Sequence, residues 1–221
     1  MPCCAAWRSA LPCNDSKTIE RDGKRGGRFL DASDRRKHMK QIGLVRHHRV
    51  TEGYPTKGWI SAADIEAWIE RYDVSTIDVQ PVELGNIDWT ICYASSMPRA
   101  VQTAESVYGK DIIVTDLLRE VPFPTIRSRI RLPFLGWALI GRLVAPFSKR
   151  IQAEIKDANE RITILLNQLT FEQQEHERVL LVGHGGMMIL MRSALKKRGY
   201  VGPRFGHPRN GMLYLFEKRE G

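Results

Sequence analysis

The sequence predicts an α/β domain: a single domain whose mostly parallel central sheet is covered by helices on both faces. Three observations predict it. Short apolar runs recur along the chain, and segments with helical periodicity lie between them. The run Val179-Leu180-Leu181-Val182 has no polar alternation at all, as a strand buried on both faces requires. The 221 residues, 43% of them hydrophobic, are enough for one domain with a sizeable core.

From Met39 the chain enters Gln41-Ile42-Gly43-Leu44-Val45, a short apolar run that ends on Arg46-His47-His48-Arg49 and reads as a buried strand. A Gly- and Pro-containing loop over 51–58 leads to Ser61, an N-cap three residues before Asp64. Ile65, Trp68, Ile69 and Tyr72 then follow at helical spacing. Ile91-Cys92-Tyr93-Ala94 is the second strand. It breaks at Ser95-Ser96-Met97-Pro98-Arg99, where a serine cap and a proline in the first turn predict a helix through Ala100, Val101, Ala104 and Val107. Ile112-Ile113-Val114 is a third, shorter strand.

Residues 149–169 give the clearest helix, with Ile151, Ile155, Ala158, Ile162, Leu165, Leu166 and Leu169 at steps of three and four. Val179–Val182 runs into Gly183-His184-Gly185-Gly186 and a helix carrying Met188, Leu190, Met191 and Leu195. Asn210-Gly211 is a turn signal ahead of a final strand over Met212–Phe216.

Charge is uneven. The chain has 34 Lys+Arg against 25 Asp+Glu, a net charge of +9, and nine of the basic and five of the acidic residues fall in residues 1–38. That leader has no sustained periodicity and few aliphatics, so it is expected to be disordered and basic, the domain occupying 39–221. Met39, just ahead of the first strand, allows the leader to be a start-site artefact. Arg8 interrupts the only apolar stretch of the leader, so a secretory signal is not expected. Cys3, Cys4 and Cys13 lie in the leader and only Cys92 beyond it, which gives neither a disulfide framework nor a zinc pattern; a cytoplasmic location is the expectation. No phosphate-binding Gly-x-x-x-x-Gly-Lys loop, metal-ligand spacing or nucleic-acid motif occurs, and no cofactor or nucleic-acid partner is expected.

Three polar clusters share one structural position. Arg46-His47 ends the first strand, Arg99 lies just past the second, and His184 follows Val179–Val182. In open α/β sheets ligands sit outside the carboxyl ends of the strands. Taken singly, each residue reads more simply as a solvated arginine or a structural histidine. Together, two arginines and two histidines make a cationic pocket, and guanidinium forks match phosphate oxygens. The ligand implied is a phosphoryl group.

At these residues the chain resembles the histidine phosphatase superfamily, which includes the cofactor-dependent phosphoglycerate mutases. Val45-Arg46-His47 matches its Arg-His signature and Ser95 to Ala104 its Ser-x-x-x-Arg-Ala-x-Gln-Thr-Ala segment. Leu118-Arg119-Glu120 matches the acid-bearing segment, and Gly183-His184-Gly185 the second histidine. The resemblance implies a metal-independent phosphomonoesterase in which His47 attacks phosphorus and becomes phosphohistidine. Arg46, Arg99 and His184 would bind the phosphoryl oxygens, with His184 also catalytic, and Glu120 would protonate the leaving group and then deprotonate water. The substrate would be a phosphorylated small molecule or a phosphoprotein. Mutase activity or a catalytically silent phosphate-binding module are the alternatives.

The sequence departs from the family where Gly usually follows the nucleophile: here it is His48, which implies a different local backbone or a tighter pocket. The Trp-Asn pair of the mutases is missing, which ranks phosphatase above mutase. Residues 123–147 form an insertion, too short and interrupted to cross a membrane. It is expected first as a helical element packed on the core, and otherwise as a cap or apolar lid over the pocket, with Arg127, Arg129 or Arg131 selecting substrate charge.

Overall fold

A computed structural model describes residues 39–55, 58–122, 128–172 and 177–219. The leader, and Arg127 of the insertion, lie outside the described residues.

Seven strands and five helices alternate along the described chain. β1 (Met39–Arg46), β4 (Ile91–Ser95), β5 (Ile112–Thr115), β6 (Arg178–Gly183) and β7 (Leu213–Arg219) form one sheet in the order β5-β4-β6-β1-β7. Only β7, at an edge, runs antiparallel; β1, β4, β5 and β6 are parallel. β2 (Arg49–Val50) and β3 (Ile77–Asp78) make a separate two-stranded ribbon. The helices are α1 (Ala62–Val74), α2 (Pro98–Tyr108), α3 (Phe134–Val144), α4 (Lys149–Glu172) and α5 (Gly185–Lys197).

Strand periodicity explains the three layers. Ile42 and Leu44, Val179 and Leu181, Tyr93 and Phe216 point to one face, where they pack on Ile162, Leu165 and Leu169 of α4 and Met187, Met191 and Leu195 of α5. The intervening residues Val45, Leu180, Val182, Cys92 and Ala94 point the other way, onto Ala100 and Ala104 of α2 and onto Trp89. The runs Ile42–Val45, Ile91–Ala94 and Val179–Val182 in the central strands therefore show no polar alternation, because both of their faces are covered. The Cys92 thiol, a free cysteine, is buried on the α2 side, and burial pushes it up to about 12.

Ser61 caps α1 as expected. Its hydroxyl accepts the Asp64 N–H at 3.2 Å while Asp64 accepts the Ser61 N–H at 2.7 Å, a reciprocal capping box. The expected serine cap on α2 does not occur: Met97 holds the cap position with extended backbone and no side-chain bond, and Pro98 opens the helix. Ser95 Oγ instead accepts the Met97 N–H at 3.3 Å and turns toward His184. Ser95 is two residues too early to cap, because β4 extends through it.

α3 leans on α1 and the loop before it. Ile60 and Leu132 exchange backbone hydrogen bonds, the Trp137 indole donates to the Ile60 carbonyl at 2.8 Å, and the Phe134 ring packs against Tyr54 and Trp68.

Candidate active site

The parallel strands bring their carboxyl ends to one edge of the sheet. Arg46, the last residue of β1, is in register with Gly183, the last of β6, and the His47 N–H donates to the Gly183 carbonyl at 2.9 Å. Ser95 ends β4 beside them. Two helices start from this edge, α2 after β4 and α5 after β6, each without a side-chain bond from its own cap residue and without an acidic residue in its first turn. Their N-terminal backbone dipoles add partial positive charge to the same place.

Arg46, His47, Arg99 and His184 are all buried there. The His47 and His184 rings lie with centroids 5.1 Å apart. Arg46 donates to the Pro208 carbonyl at 2.9 Å, and its guanidinium lies within 3.4 Å of the Tyr54 hydroxyl and of His207 Nε2. The Arg46 guanidinium also lies against Gly185, where an added Cβ would meet it at 3.5 Å. Arg99 donates to Asp73 Oδ1 at 2.8 Å and sits over the Tyr72 ring. Four buried side-chain nitrogens among the described residues have no hydrogen-bond partner, and three of them are Arg46 Nε, Arg99 Nε and His184 Nδ1.

Two guanidinium groups beside two imidazoles keep the imidazoles neutral. Burial first, then the Arg99 charge, pushes His47 down to about 3, despite the hydrogen bond to the His48 carbonyl that works the other way. Burial holds His184 well below its usual range, followed by His47, Arg99 and Arg46. His47 Nδ1 contacts the His48 carbonyl at 2.6 Å; a carbonyl only accepts, so Nδ1 carries the proton and Nε2 keeps its lone pair.

Glu120 follows a 3₁₀ turn, Asp116–Leu118, at the end of β5. Leu118 is buried in the core, and Arg161 of α4 donates to the Arg119 carbonyl at 2.9 Å, which fixes the segment. The carboxylate accepts from the Gly186 N–H at 3.0 Å and the Met187 N–H at 2.9 Å, besides Val121 N–H at 2.9 Å. Glu120 thus caps α5 from outside the helix, two residues beyond His184, instead of pairing with Arg119 on the surface.

His48 turns away from the pocket. Its N–H donates to Thr103 Oγ1 at 2.9 Å, its Nε2 lies 3.2 Å from Ser106 Oγ, and a Cβ on Gly211 would stand 3.0 Å from its Nδ1. Gly211 has φ +60°, so one glycine supplies both the left-handed turn and the room for the imidazole. Burial lowers the His48 ring below its usual range, with Asp78 opposing.

Several contributors escaped the sequence reading. Asn210 Nδ2 donates to the His47 carbonyl at 2.7 Å, although Asn210-Gly211 reads only as a turn. Asp73, Tyr54 and His207 carry no local signal beyond their residue type; Ser95 opens the matched Ser-x-x-x-Arg segment but reads only as part of a helix cap. Among the described residues, no group of three or more His, Cys, Asp or Glu could hold a metal ion, and no helix is long and apolar enough to cross a membrane.

The family model of the histidine phosphatase superfamily (branch 1) matches residues 81–221. That span contains Arg99, Glu120 and His184 and begins after Arg46-His47. No curated protein matches. Among solved structures, phosphoglycerate mutase from Bacillus anthracis str. Sterne is similar at 16% identity and TM-score 0.53, over 82% of this chain and 89% of that one. A protein described as mycobacterial hydrolase 2 is similar at 17% identity and TM-score 0.52, over 83% and 84%. Similarity at this level shows a shared fold.

Proposed function

The chain belongs to the histidine phosphatase superfamily, branch 1, and on that premise we propose that it hydrolyses phosphomonoesters through a phosphohistidine on His47. The observation that carries the reading is the set of unpartnered buried nitrogens on Arg46, Arg99 and His184. Leaving a buried donor unsatisfied costs about 1–3 kcal/mol. Phosphoryl oxygens are acceptors of the right charge for all three.

In the first step the Nε2 lone pair of neutral His47 attacks phosphorus, the P–N bond forms, and the bond to the ester oxygen breaks. The His48 carbonyl holds the imidazole through Nδ1–H, and Asn210 holds the His47 backbone by donating to its carbonyl. Arg46 and Arg99 bind the phosphoryl oxygens, where charge resides in the transition state. His184 contributes a neutral hydrogen bond: its Nε2 lies 2.8 Å from the Ser95 hydroxyl, and with that hydroxyl donating to Nε2, Nδ1–H is the donor to a phosphoryl oxygen.

Glu120 acts as proton donor to the leaving oxygen and then as acceptor from the attacking water, whose oxygen displaces His47 and releases inorganic phosphate. Both Glu120 oxygens serve as acceptors at the start of α5. That arrangement suits the second half-reaction; in the first, one of these hydrogen bonds gives way to a proton on the carboxyl group. Cationic side chains supply the charge that stabilises the phosphoryl group, so turnover is expected to persist in EDTA. The buried, free Cys92 thiol fits a reducing compartment, and we place the enzyme in the cytoplasm.

The test is hydrolysis of p-nitrophenyl phosphate and a panel of phosphorylated metabolites by the wild type and His47→Ala in parallel. Turnover abolished by His47→Ala supports the reading. Tight phosphate binding without turnover of any ester replaces it with a binding module, and interconversion of phosphoglycerates that depends on bisphosphoglycerate replaces it with a mutase.

A further inference from the structure

The insertion carries a surface that the catalytic reading does not use. On α3, Leu135, Leu139 and Leu143 are 78%, 58% and 63% exposed, and Phe147 in the 3₁₀ turn that follows is 87% exposed. At about 100° per residue the three leucines fall within one quarter of the helix surface. Trp137 and Gly141, which are buried, lie on the opposite side. The helix is thus apolar on both faces: one packs on the protein and the other is open. Trp59, 65% exposed, precedes Ile60, whose backbone pairs with Leu132 at the entrance to α3. Five large apolar side chains therefore stand out from one small appendage, whereas scattered single exposed residues need no explanation.

The charge around this stripe has one sign in the chain. From Val121 to Ala153 there is no Asp or Glu, and there are six basic residues: Arg127, Arg129, Arg131, Arg142, Lys149 and Arg150. Arg129 and Arg131 are exposed just before α3, and Lys149 and Arg150 are exposed just after the 3₁₀ turn, so basic groups flank both ends. Arg131 shares its charge with Asp64, at 3.5 Å. α3 has 11 residues, roughly 16 Å of helix, about half of what a bilayer core requires. An exposed apolar stripe on a short helix with cationic ends, tryptophan beside it, has the make-up of an element that lies in a lipid interface without crossing it.

We propose that the α3 stripe docks this protein on an anionic phospholipid surface. Leu135, Leu139, Leu143 and Phe147 enter the acyl boundary, Trp59 sits at headgroup level, and Arg129, Lys149 and Arg150 face lipid phosphates. The pocket is then close to the membrane plane, because Phe134, the first residue of α3, packs at a tilt against Tyr54, whose hydroxyl reaches the Arg46 guanidinium. The docking stands on α3 and the residues beside it, and holds whatever reaction His47 performs.

The test uses the full chain and sedimentation with vesicles of phosphatidylcholine alone or with phosphatidylglycerol. Binding to the anionic vesicles, weakened by salt and reduced about tenfold or more by Leu139→Asp with Leu143→Asp, is the expected result. The residues are exposed, and circular dichroism and phosphate-induced stabilisation confirm that the variant is folded. In a Trp7→Phe background, Trp59 emission shifts to the blue and is quenched by brominated lipid, since Trp68, Trp89 and Trp137 are buried. Three outcomes overturn the proposal. They are no binding to anionic vesicles, binding equal in wild type and double variant, as the basic leader alone would give, and a stable dimer that the double substitution dissociates.

Discussion

The Glu120 carboxylate occupies the space that a side chain on Gly186 would need: a Cβ there would stand 2.7 Å from Oε1, while the Gly186 N–H donates to Oε2 at 3.0 Å. The glycine after the Gly-His-Gly segment is therefore the seat of the acid. Gly186→Ala is expected to keep the fold, since alanine favours the helix, but to push Glu120 away and lower hydrolysis about tenfold or more, roughly 1.4 kcal/mol of transition-state stabilisation. Steady-state kinetics beside a thermal melt checks this; unchanged kcat removes Glu120 from the reaction.

A ligand that engages the orphaned nitrogens of Arg46, Arg99 and His184 stabilises the folded state by mass action. Inorganic phosphate or vanadate at 100 times its Kd should add about 2.7 kcal/mol. Differential scanning fluorimetry reads this as a rising Tm, and Arg46→Ala should erase the rise.

Acid should destabilise the empty pocket in a defined window. His47 falls to about 3 in the folded state and His184 is also lowered, so both bind protons more readily when unfolded. Their contribution is complete above pH 6.5 and is lost as pH falls from there toward 3, by at most about 1.4 kcal/mol per pH unit for each group. Urea denaturation between pH 7.5 and 4.5 measures the slope; His184→Gln should flatten it, and a slope unchanged in that variant contradicts the assignment.

Asp73 positions Arg99 without touching the reacting atoms. Asp73→Ala frees one end of a buried guanidinium and is expected to lower kcat/KM about tenfold, whereas Asp73→Asn, which can still accept from Arg99, recovers most of the loss. Equal damage by both variants would make the charge, not the placement, the decisive property.

His48→Gly restores the residue common in the family but empties a packed niche beside Thr103, Ser106 and Gly211. We expect a loss of about 2–4 kcal/mol in stability with hydrolysis retained at low temperature, because the bond to His47 Nδ1 comes from the backbone carbonyl. Chemical denaturation and p-nitrophenyl phosphate assays on the same preparation separate the two effects.

The sheet was legible because each central strand is a continuous apolar run, and the alternation of strand and helix leaves few topologies. The cationic cluster was legible because parallel strands put their carboxyl ends together, so residues 46, 99 and 184 could be placed at one edge from chain position alone. Helix α1 announced its start through Ser61 and Asp64. The start of α2 misled, because Ser95 turns to His184, Ser96 bonds to Asp116, and the cap position falls on Met97. Asp73 and Asn210 were invisible as site residues: each acts through hydrogen bonds across the fold, and nothing local encodes the partner. The niche for His48 depends on Gly211, far along the chain, so the unusual residue after His47 could be noticed but not explained. The insertion's helix was foreseen, but its attachment to Ile60 and Phe134's place between Tyr54 and Trp68 are tertiary facts.

The pairing of β1 has a consequence for how the chain comes to be folded. Among the described strands β1 is the first made, yet its two neighbours are the last: Gln41 pairs with Arg178 on one side and with Glu217 on the other. Throughout synthesis the first strand waits without a partner in the sheet, and Arg46-His47 has no pocket until the carboxyl-terminal segment bearing Asn210 and Gly211 has left the ribosome. Such long-range closure is slow, and it ties the pocket to the chain's last strand: a nascent chain or truncation ending before β7 would hold Arg46, His47, Arg99 and Glu120 without the strand that pairs with β1.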